Sequence, residues 1–331
     1  MSHDISECQD IIDGIKKEIC IISSKLDKFE SDIKWIKRYS EYADKILDNI
    51  KIIKKYKEEF YTPKNLYLYM SICEAKDKAN LFNIRYKGEA VADIVFKDKK
   101  ILLCTNRRVC GSDKRFKIDM PKEVTWSGKE AQDFRVWFRD CDVPSERESA
   151  LESALLTVLE NNATGQTLPK ILIQPVKFAD VCRFQMTTPL SASSSKVDNA
   201  KTARGGGIDI LARIGTGPNS HLSVMELKKK PERPWATMRQ GVAYAVFLQK
   251  LLASECGSAW SKVFGYEKGY PPKAPITVCI VMPYEDAPKS RPVFNHDLPM
   301  DGRVLKLRQL YINKDWNIGI EINDAHSTFG K

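Results

Sequence analysis

Apolar residues near the amino terminus recur at alternating steps of three and four positions, from Ile5 to Ile36. This spacing keeps one stripe of side chains on one side of a helix and is typical of a heptad repeat. Helical spacing continues to about Phe60, and Pro63 ends it. Residues 1–62 are therefore predicted to form a helical coiled-coil arm, which self-associates or docks to a partner protein.

A second interpretation of this stripe stays open. Gly14, Ile11 and Ile21 make the stripe wider than a strict coiled-coil seam. The helix would then fold back on its own domain, or pair with a second helix near residues 66–75. If the helices do associate in parallel, isoleucine at most seam positions favours more than two strands.

The period changes to that of β-strands from about residue 81 to residue 124. Three apolar runs separated by turn residues predict a small antiparallel meander within a connector over residues 63–142; the runs are 82–86, 90–96 and 101–104. Asp93 is expected to face outwards from its strand. The next loop is basic, with Arg107, Arg108, Lys114, Arg115 and Lys117. Two interpretations of this loop stay open with equal weight: a segment that binds phosphate and a loop that is merely solvated.

Residues 143–331 alternate helical and strand patterns, which predicts an α/β domain. Ser145 and Glu148 have capping-box spacing, so a helix should begin there. The following elements are expected to be a strand at 170–176, two strands at 206–213 and 222–228, a helix at 234–253 and a buried strand at 275–282. A helix or strand at 305–310 and a final strand at 316–322 should complete the domain. The Ser- and Ala-rich residues 191–204 predict a loop.

The two strands at 206–213 and 222–228 carry the candidate chemistry. Side chains alternate along a strand, so Asp209 and Arg213 share one face of the first strand, and Glu226 and Lys228 share one face of the second. Turn residues between the strands predict a hairpin, which would bring both carboxylates and the lysine close together. A divalent metal such as Mg²⁺ would explain such a cluster of buried charges.

These residues resemble the pattern of the PD-(D/E)xK nuclease superfamily, an Asp on one core strand followed by Glu-x-Lys on the next. The resemblance implies a restriction-endonuclease-like mixed sheet flanked by helices. It implies Mg²⁺, for which Mn²⁺ can substitute, held by Asp209, Glu226 and the Leu227 carbonyl, with Lys228 orienting the attacking water. Ile208 stands where the family pattern has proline.

The helix at 234–253 contains Gln240 and Tyr244, which are similar to the Gln-x-x-x-Tyr motif of the RecB-like branch. Their spacing places both on one helix face, where Gln240 would serve the catalytic site and Tyr244 the nucleic-acid backbone. Ordinary helix core is the alternative for Tyr244. The resemblance also implies a further metal-site glutamate on the preceding helix, and Glu152 matches that position better than Glu148. The remaining nucleic-acid contacts are expected from Lys229, Lys230, Arg213 and Arg204.

Composition is consistent with a nucleic-acid-binding protein. The formal net charge is +10, a balance that phosphate binding needs and that solvated lysines also produce. Without a membrane-spanning apolar run or a signal-peptide pattern, we expect a cytoplasmic protein with no membrane partner. The nine cysteines form no Cys-x-x-Cys pair, and the four histidines have no ligand-like spacing, which argues against a zinc ribbon, a disulfide framework or an HNH mechanism.

The resemblance implies a Mg²⁺-dependent deoxyribonuclease, and the added helical arm suggests an oligomeric effector in restriction or anti-phage defence. Two alternatives stay open. One is a non-catalytic nucleic-acid-binding or scaffold protein that retains the nuclease fold. The other is an assembly protein whose function depends on the helical arm.

Overall fold

A computed structural model of the chain describes residues 2–60, 66–71, 82–105, 120–141, 148–162, 172–190, 206–228, 234–283 and 295–312. The described residues form a mixed α/β protein, as the sequence predicts. The chain divides into two compact units. The first unit comprises Met1–Asp48, Leu155–Val176 and Thr187–Lys331, and the second comprises Asn49–Ala154 and Lys177–Met186. This division differs from the predicted series of three successive segments.

The described helices and strands have the following bounds. The α-helices are α1 (Ser2–Ile33), α2 (Trp35–Lys55), α3 (Lys129–Asp140), α4 (Glu148–Asn162), α5 (Pro234–Ala253) and α6 (Gly257–Val263). The strands are β1 (Leu66–Ser71), β2 (Phe82–Tyr86), β3 (Glu89–Lys97), β4 (Lys100–Cys104), β5 (Glu123–Thr125), β6 (Ile173–Pro175), β7 (Lys177–Phe178), β8 (Cys182–Gln185), β9 (Ile210–Ile214), β10 (His221–Leu227), β11 (Ile276–Pro283), β12 (His296–Met300) and β13 (Arg303–Ile312).

The first unit contains a six-stranded sheet in the order β12-β13-β11-β10-β9-β6. β10, β11 and β13 run parallel to one another, whereas β9, β6 and β12 run antiparallel to their neighbours. β9 and β10 form the predicted hairpin. Helix α5 supplies the crossover that the parallel pair β10 and β11 requires. β11 is a buried central strand, as its continuous apolar run predicts.

Helix α1 folds back onto α5 within the first unit. The heptad stripe of α1 is buried in the single chain, at Ile12, Ile15, Ile19, Ile22 and Leu26. Two ion pairs link the helices: Arg239 Nη2 lies 2.7 Å from Glu18 Oε2, and Lys250 Nζ lies 2.5 Å from Asp27 Oδ1. The packing therefore matches the alternative in which the helix folds back on its own domain.

The predicted single helix of residues 5–60 is broken at Lys34, whose φ is 52°. Two contacts support the break. The Trp35 indole donates to the Leu26 carbonyl at 3.0 Å, and the Glu30 carboxylate accepts a hydrogen bond from the Ile36 amide at 2.8 Å. Because a left-handed residue costs about 1–2 kcal/mol, these two local contacts across the break, which the periodicity does not show, stabilise it.

The second unit contains a seven-stranded sheet in the order β5-β4-β3-β2-β1-β8-β7. β2, β3 and β4 form the predicted antiparallel meander, and β5 adds an antiparallel strand that was not predicted. Aromatic rings cover one face of this sheet, where Phe60 contacts Phe96 and Phe138 contacts Tyr86. The helix suggested near residues 66–75 is wrong over Leu66–Ser71, which form strand β1 between β2 and β8. Non-local pairing overrides the local pattern there.

Several further elements differ from the sequence prediction or lie outside it. Helix α3 and strands β7 and β8 have no counterpart in the prediction, and residues 305–310 are strand, within β13. The proposed cap at Ser145, the basic loop from Arg107 to Lys117, the loop at 191–204 and the strand at 316–322 lie outside the described residues. Within the described part of the chain, no helix is long and apolar enough to cross a membrane.

Candidate active site

The centre of the candidate site is the junction between the start of β9 and the end of β10. Asp209 immediately precedes β9, and its Oδ2 accepts a hydrogen bond from the Leu227 amide at 2.9 Å. Met225 pairs with Ile210 in the antiparallel ladder. Continuing that register by one residue places Glu226 opposite Asp209, so both carboxylates project from the same face of the sheet.

Glu226 is covered by helix α5. The residue is fully buried, with 0% of its surface exposed. Gly241 is the point of closest approach, since a Cβ on this glycine would overlap Val278 Cγ1 and lie 3.4 Å from Glu226 Cγ. A glycine inside a helix costs about 1 kcal/mol relative to alanine. The space that it leaves is therefore what lets the helix sit directly over the carboxylate.

Gln240 and Tyr244 share the face of α5 that lies over the sheet. Gln240 Nε2 donates to the Tyr244 hydroxyl at 3.4 Å, so the predicted helical spacing does bring the two side chains together. Burial raises the pKa of the Tyr244 phenol, and the Glu226 carboxylate raises it further; the Gln240 hydrogen bond lowers it, and Asp209 adds a smaller upward effect. Tyr244 is therefore both fully buried helix core and within electrostatic range of both carboxylates.

Lys228 extends the strand that carries Glu226. Its amide donates to the Val281 carbonyl at 3.0 Å, which continues the pairing of β10 with β11 by one residue. Two positions separate Lys228 from Glu226, so both side chains start on the same face of the strand. The lysine is half-buried. The sequence prediction that this lysine serves the carboxylate pair thus has the required strand geometry.

Thr237 is a site residue that the sequence analysis missed. It lies one helical turn before Gly241, on the same face of α5 as Gln240 and Tyr244. Its side chain is almost fully buried, and its hydroxyl has no hydrogen-bond partner among the described residues. Gly241, on the same helix face, lies close to Glu226. Thr237 is therefore a candidate site residue, and the helical spacing from Gln240 and Tyr244 is the signal that could have identified it.

The donor atoms at this junction fit a hard divalent cation. The Leu227 amide points towards Asp209, and a strand residue directs its carbonyl to the same side as its amide. Two carboxylates and one carbonyl are ligands that Mg²⁺ accepts while keeping several waters. The described residues contain no cluster of three or more His, Cys, Asp or Glu side chains suited to a metal. Asp209, Glu226 and the Leu227 carbonyl are thus the set that would hold the ion.

Glu152 lies in the second unit, on α4, and is buried. Burial raises the pKa of the Tyr69 phenol there; the nearby Arg183 guanidinium lowers it, and the Glu152 carboxylate raises it. Glu152 and Arg183 thus both interact electrostatically with Tyr69. Its participation in the metal site stays a prediction, and Glu148 is an exposed residue at the start of the helix.

Arg213 is not brought to the carboxylate pair. Four residues separate it from Asp209, which along a strand is about 13 Å. Its Nη1 lies 3.4 Å from the Gly265 carbonyl, in the turn that follows α6. Lys229, Lys230 and Arg204 lie outside the described residues. The prediction that these four residues contact nucleic acid remains untested.

Comparison of the chain with protein-family models, with curated proteins and with solved structures found no match.

Proposed function

We propose that this protein is a metal-dependent nuclease that hydrolyses phosphodiester bonds in DNA. The observation that carries the proposal is the hydrogen bond from the Leu227 amide to Asp209, which fixes a second carboxylate beside the buried Glu226. Two adjacent carboxylates repel each other unless a cation or a proton is shared between them. A bound divalent cation offsets that repulsion.

Each residue has a separate role in this proposal. Asp209, Glu226 and the Leu227 carbonyl hold Mg²⁺ or Mn²⁺. When bound, the ion would supply a Lewis acid and a water of lowered pKa. The Lys228 ammonium orients that water and offsets negative charge that develops on the phosphate. Gln240 positions the Tyr244 hydroxyl, which lies within electrostatic range of Glu226 and Asp209.

The order of elements in the first unit supports a restriction-endonuclease-like fold. Helix α4, of which residues 155–162 belong to this unit, precedes β6, β9 and β10, and α5 then leads to β11; β7 and β8 of the other unit lie between β6 and β9 in the chain. The pairing is antiparallel from β6 to β9 and from β9 to β10, and parallel from β10 to β11. This is the helix, three strands, helix and strand order that the sequence resemblance implies.

DNA is the proposed substrate because the net charge is +10 and the site offers a lysine beside two carboxylates. A role in restriction or anti-phage defence, with self-association of the protein, is the wider biological proposal. Self-association would let two sites cut both strands. Since the stripe of α1 is buried against α5, another surface would have to mediate it.

The test is cleavage of supercoiled plasmid and linear duplex with Mg²⁺, with Mn²⁺ and with EDTA. Wild-type protein is compared with Glu226→Gln, Lys228→Ala and, as a matched control, Glu267→Gln, which changes an exposed glutamate of the same unit. We expect metal-dependent nicking that is lost in the first two variants and kept in the third. A folded protein that binds DNA without cleaving it under any of these conditions would overturn the proposal in favour of a nucleic-acid-binding scaffold.

A further inference from the structure

The second unit contains an arginine whose guanidinium is held in place by hydrogen bonds to neutral side chains. Arg85, on β2, donates from Nε to Asn83 Oδ1 at 2.8 Å. Its Nη2 donates to Ser71 Oγ at 2.8 Å and to Gln185 Oε1 at 2.7 Å. Asn83 lies on the same strand, Ser71 on β1 and Gln185 on β8. The guanidinium is thus held across three neighbouring strands.

An aromatic ring packs against the Arg85 guanidinium. Arg85 Cζ lies 4.3 Å from the centroid of the Tyr69 ring. Tyr69 is itself fully buried, and its hydroxyl accepts a hydrogen bond from Arg183 Nη1 at 3.3 Å. A cation on an aromatic ring gains attraction from the ring face. Because the ring is buried and hydrogen-bonded, it orients the plane of the guanidinium before any ligand binds.

The hydrogen bonds leave Nη1 of Arg85 available. Arginine has five N–H donors, of which the one on Nε and both on Nη2 are used. Nη1 makes no hydrogen bond to the described residues, and Arg85 is only half-buried. No carboxylate of the described residues forms an ion pair with it. Three neutral acceptors orient the guanidinium but do not cancel its charge.

Arg183, on a strand of the same sheet, is a structural arginine and differs from Arg85 in its burial. It is almost fully buried, and its Nη1 also donates to the carbonyl and hydroxyl of Ser153. Its guanidinium lies 3.5 Å from the centroid of Tyr67, and it shares an electrostatic environment with Glu152 around Tyr69. Arg85 has no such enclosure. A register shift in the ladder between β2 and β3 also places it opposite Ala90, while Asp93 pairs with Asn83.

We propose that Arg85 is a binding site for a backbone phosphate of the nucleic acid, in the unit that does not carry Asp209 and Glu226. The proposal rests on the proposed function for its choice of ligand. The two N–H donors of Nη1 can donate to phosphate oxygens, and a phosphodiester supplies the missing negative charge. Ser71, Asn83 and Gln185 are positioning residues for this arginine. The contact would add affinity without reading base sequence.

The test measures binding rather than cleavage. Fluorescence anisotropy of a short labelled DNA duplex is recorded in EDTA at several salt concentrations. Full-length wild-type protein is compared with Arg85→Gln, Arg85→Lys and Arg139→Gln. Arg139 is a matched control, because it is an exposed arginine of the same unit, with its charge paired to Asp140 at 2.8 Å. Thermal melting confirms that each variant is folded.

Arg85→Gln should weaken binding about tenfold and reduce the slope of log K against log salt by about one, as expected for one lost phosphate contact. Arg85→Lys should keep the salt slope but bind more weakly than wild type, because the charge remains and the oriented Nη1 donors are lost. Arg139→Gln should change neither value. Labelled polyglutamate serves as a second probe, and binding of polyglutamate that depends equally on Arg85 would overturn the assignment to phosphate.

The same data separate this inference from the proposed function. Equal affinities and salt slopes for Arg85→Gln and Arg139→Gln would overturn the inference, even if the protein cleaves DNA. Arg85-dependent binding by a protein that never cleaves DNA would support the inference and overturn the proposed nuclease activity. If the wild-type protein binds no DNA in EDTA at any salt concentration, the Arg85 site is also overturned.

Discussion

Asp209 and Leu227 are joined by a hydrogen bond in which the Leu227 amide donates to the Asp209 carboxylate at 2.9 Å. The bond links the start of β9 to the last residue of β10. It also turns the Leu227 carbonyl towards the aspartate, because amide and carbonyl of one strand residue share a side. One backbone position thus orients two of the three groups that would hold the metal.

Replacing Asp209 by asparagine separates the charge of this residue from its hydrogen bond. The asparagine oxygen can still accept from the Leu227 amide, so we expect the free energy of unfolding to change little. Cleavage should fall by at least about 100-fold, the scale of losing one group that stabilises transition-state charge. Plasmid cleavage and urea denaturation measure the two effects. Unchanged cleavage by Asp209→Asn would contradict the proposed site.

Gly241→Ala tests the contact between α5 and Glu226. The added methyl group would overlap Val278 and press on Glu226, so we expect a loss of about 1–3 kcal/mol in the free energy of unfolding. Cleavage should fall as well, because the helix carrying Gln240 must shift. Ala243→Gly on the same helix is the control. It should cost about 1 kcal/mol through helix propensity and leave the specific cleavage rate unchanged.

Thr237→Val removes the buried hydroxyl and keeps the shape of the side chain. Because this hydroxyl has no partner among the described residues, the variant should be as stable as wild type or more stable. If the hydroxyl contacts substrate or bound water, cleavage should fall about tenfold. Thr277→Val is the control, because the Thr277 hydroxyl is also buried but does have a hydrogen-bond partner: its Oγ1 lies 3.0 Å from His221 Nε2. That variant should lose about 1 kcal/mol of stability without loss of cleavage.

Ile15→Asp tests which surface the stripe of α1 covers. Ile15 is fully buried in the single chain, so the charge should lower the melting temperature of the monomer. Ile21→Asp is the matched control, because Ile21 lies on the same helix and is 47% exposed. Light scattering after gel filtration and thermal melting are the measurements. If Ile15→Asp instead dissociates an oligomer and leaves melting unchanged, the stripe is an intermolecular coiled coil.

His221 should make the first unit less stable in mild acid. Burial lowers the pKa of His221, Lys306 and Arg308 lower it further, and a backbone hydrogen bond at Asn219 raises it in part. A depressed pKa means that the unfolded chain takes up the proton more readily, so stability is complete above the ordinary value of 6.5 and falls with pH below it. His221→Asn should flatten the melting temperature between about pH 7 and pH 5. A slope that persists in this variant would point to other groups.

Local pattern was sufficient for the elements nearest the candidate site. The helix Pro234–Ala253, the hairpin of β9 and β10 and the buried strand β11 follow from periodicity and turn residues, because each signal lies within the segment itself. Alternation along β10 likewise placed Glu226 and Lys228 on one face. The prediction was weakest where partners are distant in sequence, as for β1, which pairs with β8 across more than a hundred residues.

The sequence alone determined which groups the candidate site contains: an aspartate before one strand, Glu-x-Lys on the next, and Gln240 and Tyr244 one helical turn apart. The tertiary structure alone decided what those groups contact. Heptad spacing specifies an apolar stripe but not its partner, which here is α5 of the same chain. The closeness of Gly241 to Glu226 and the neutral surroundings of Arg85 also depend on packing between distant segments, and no local pattern encodes such packing.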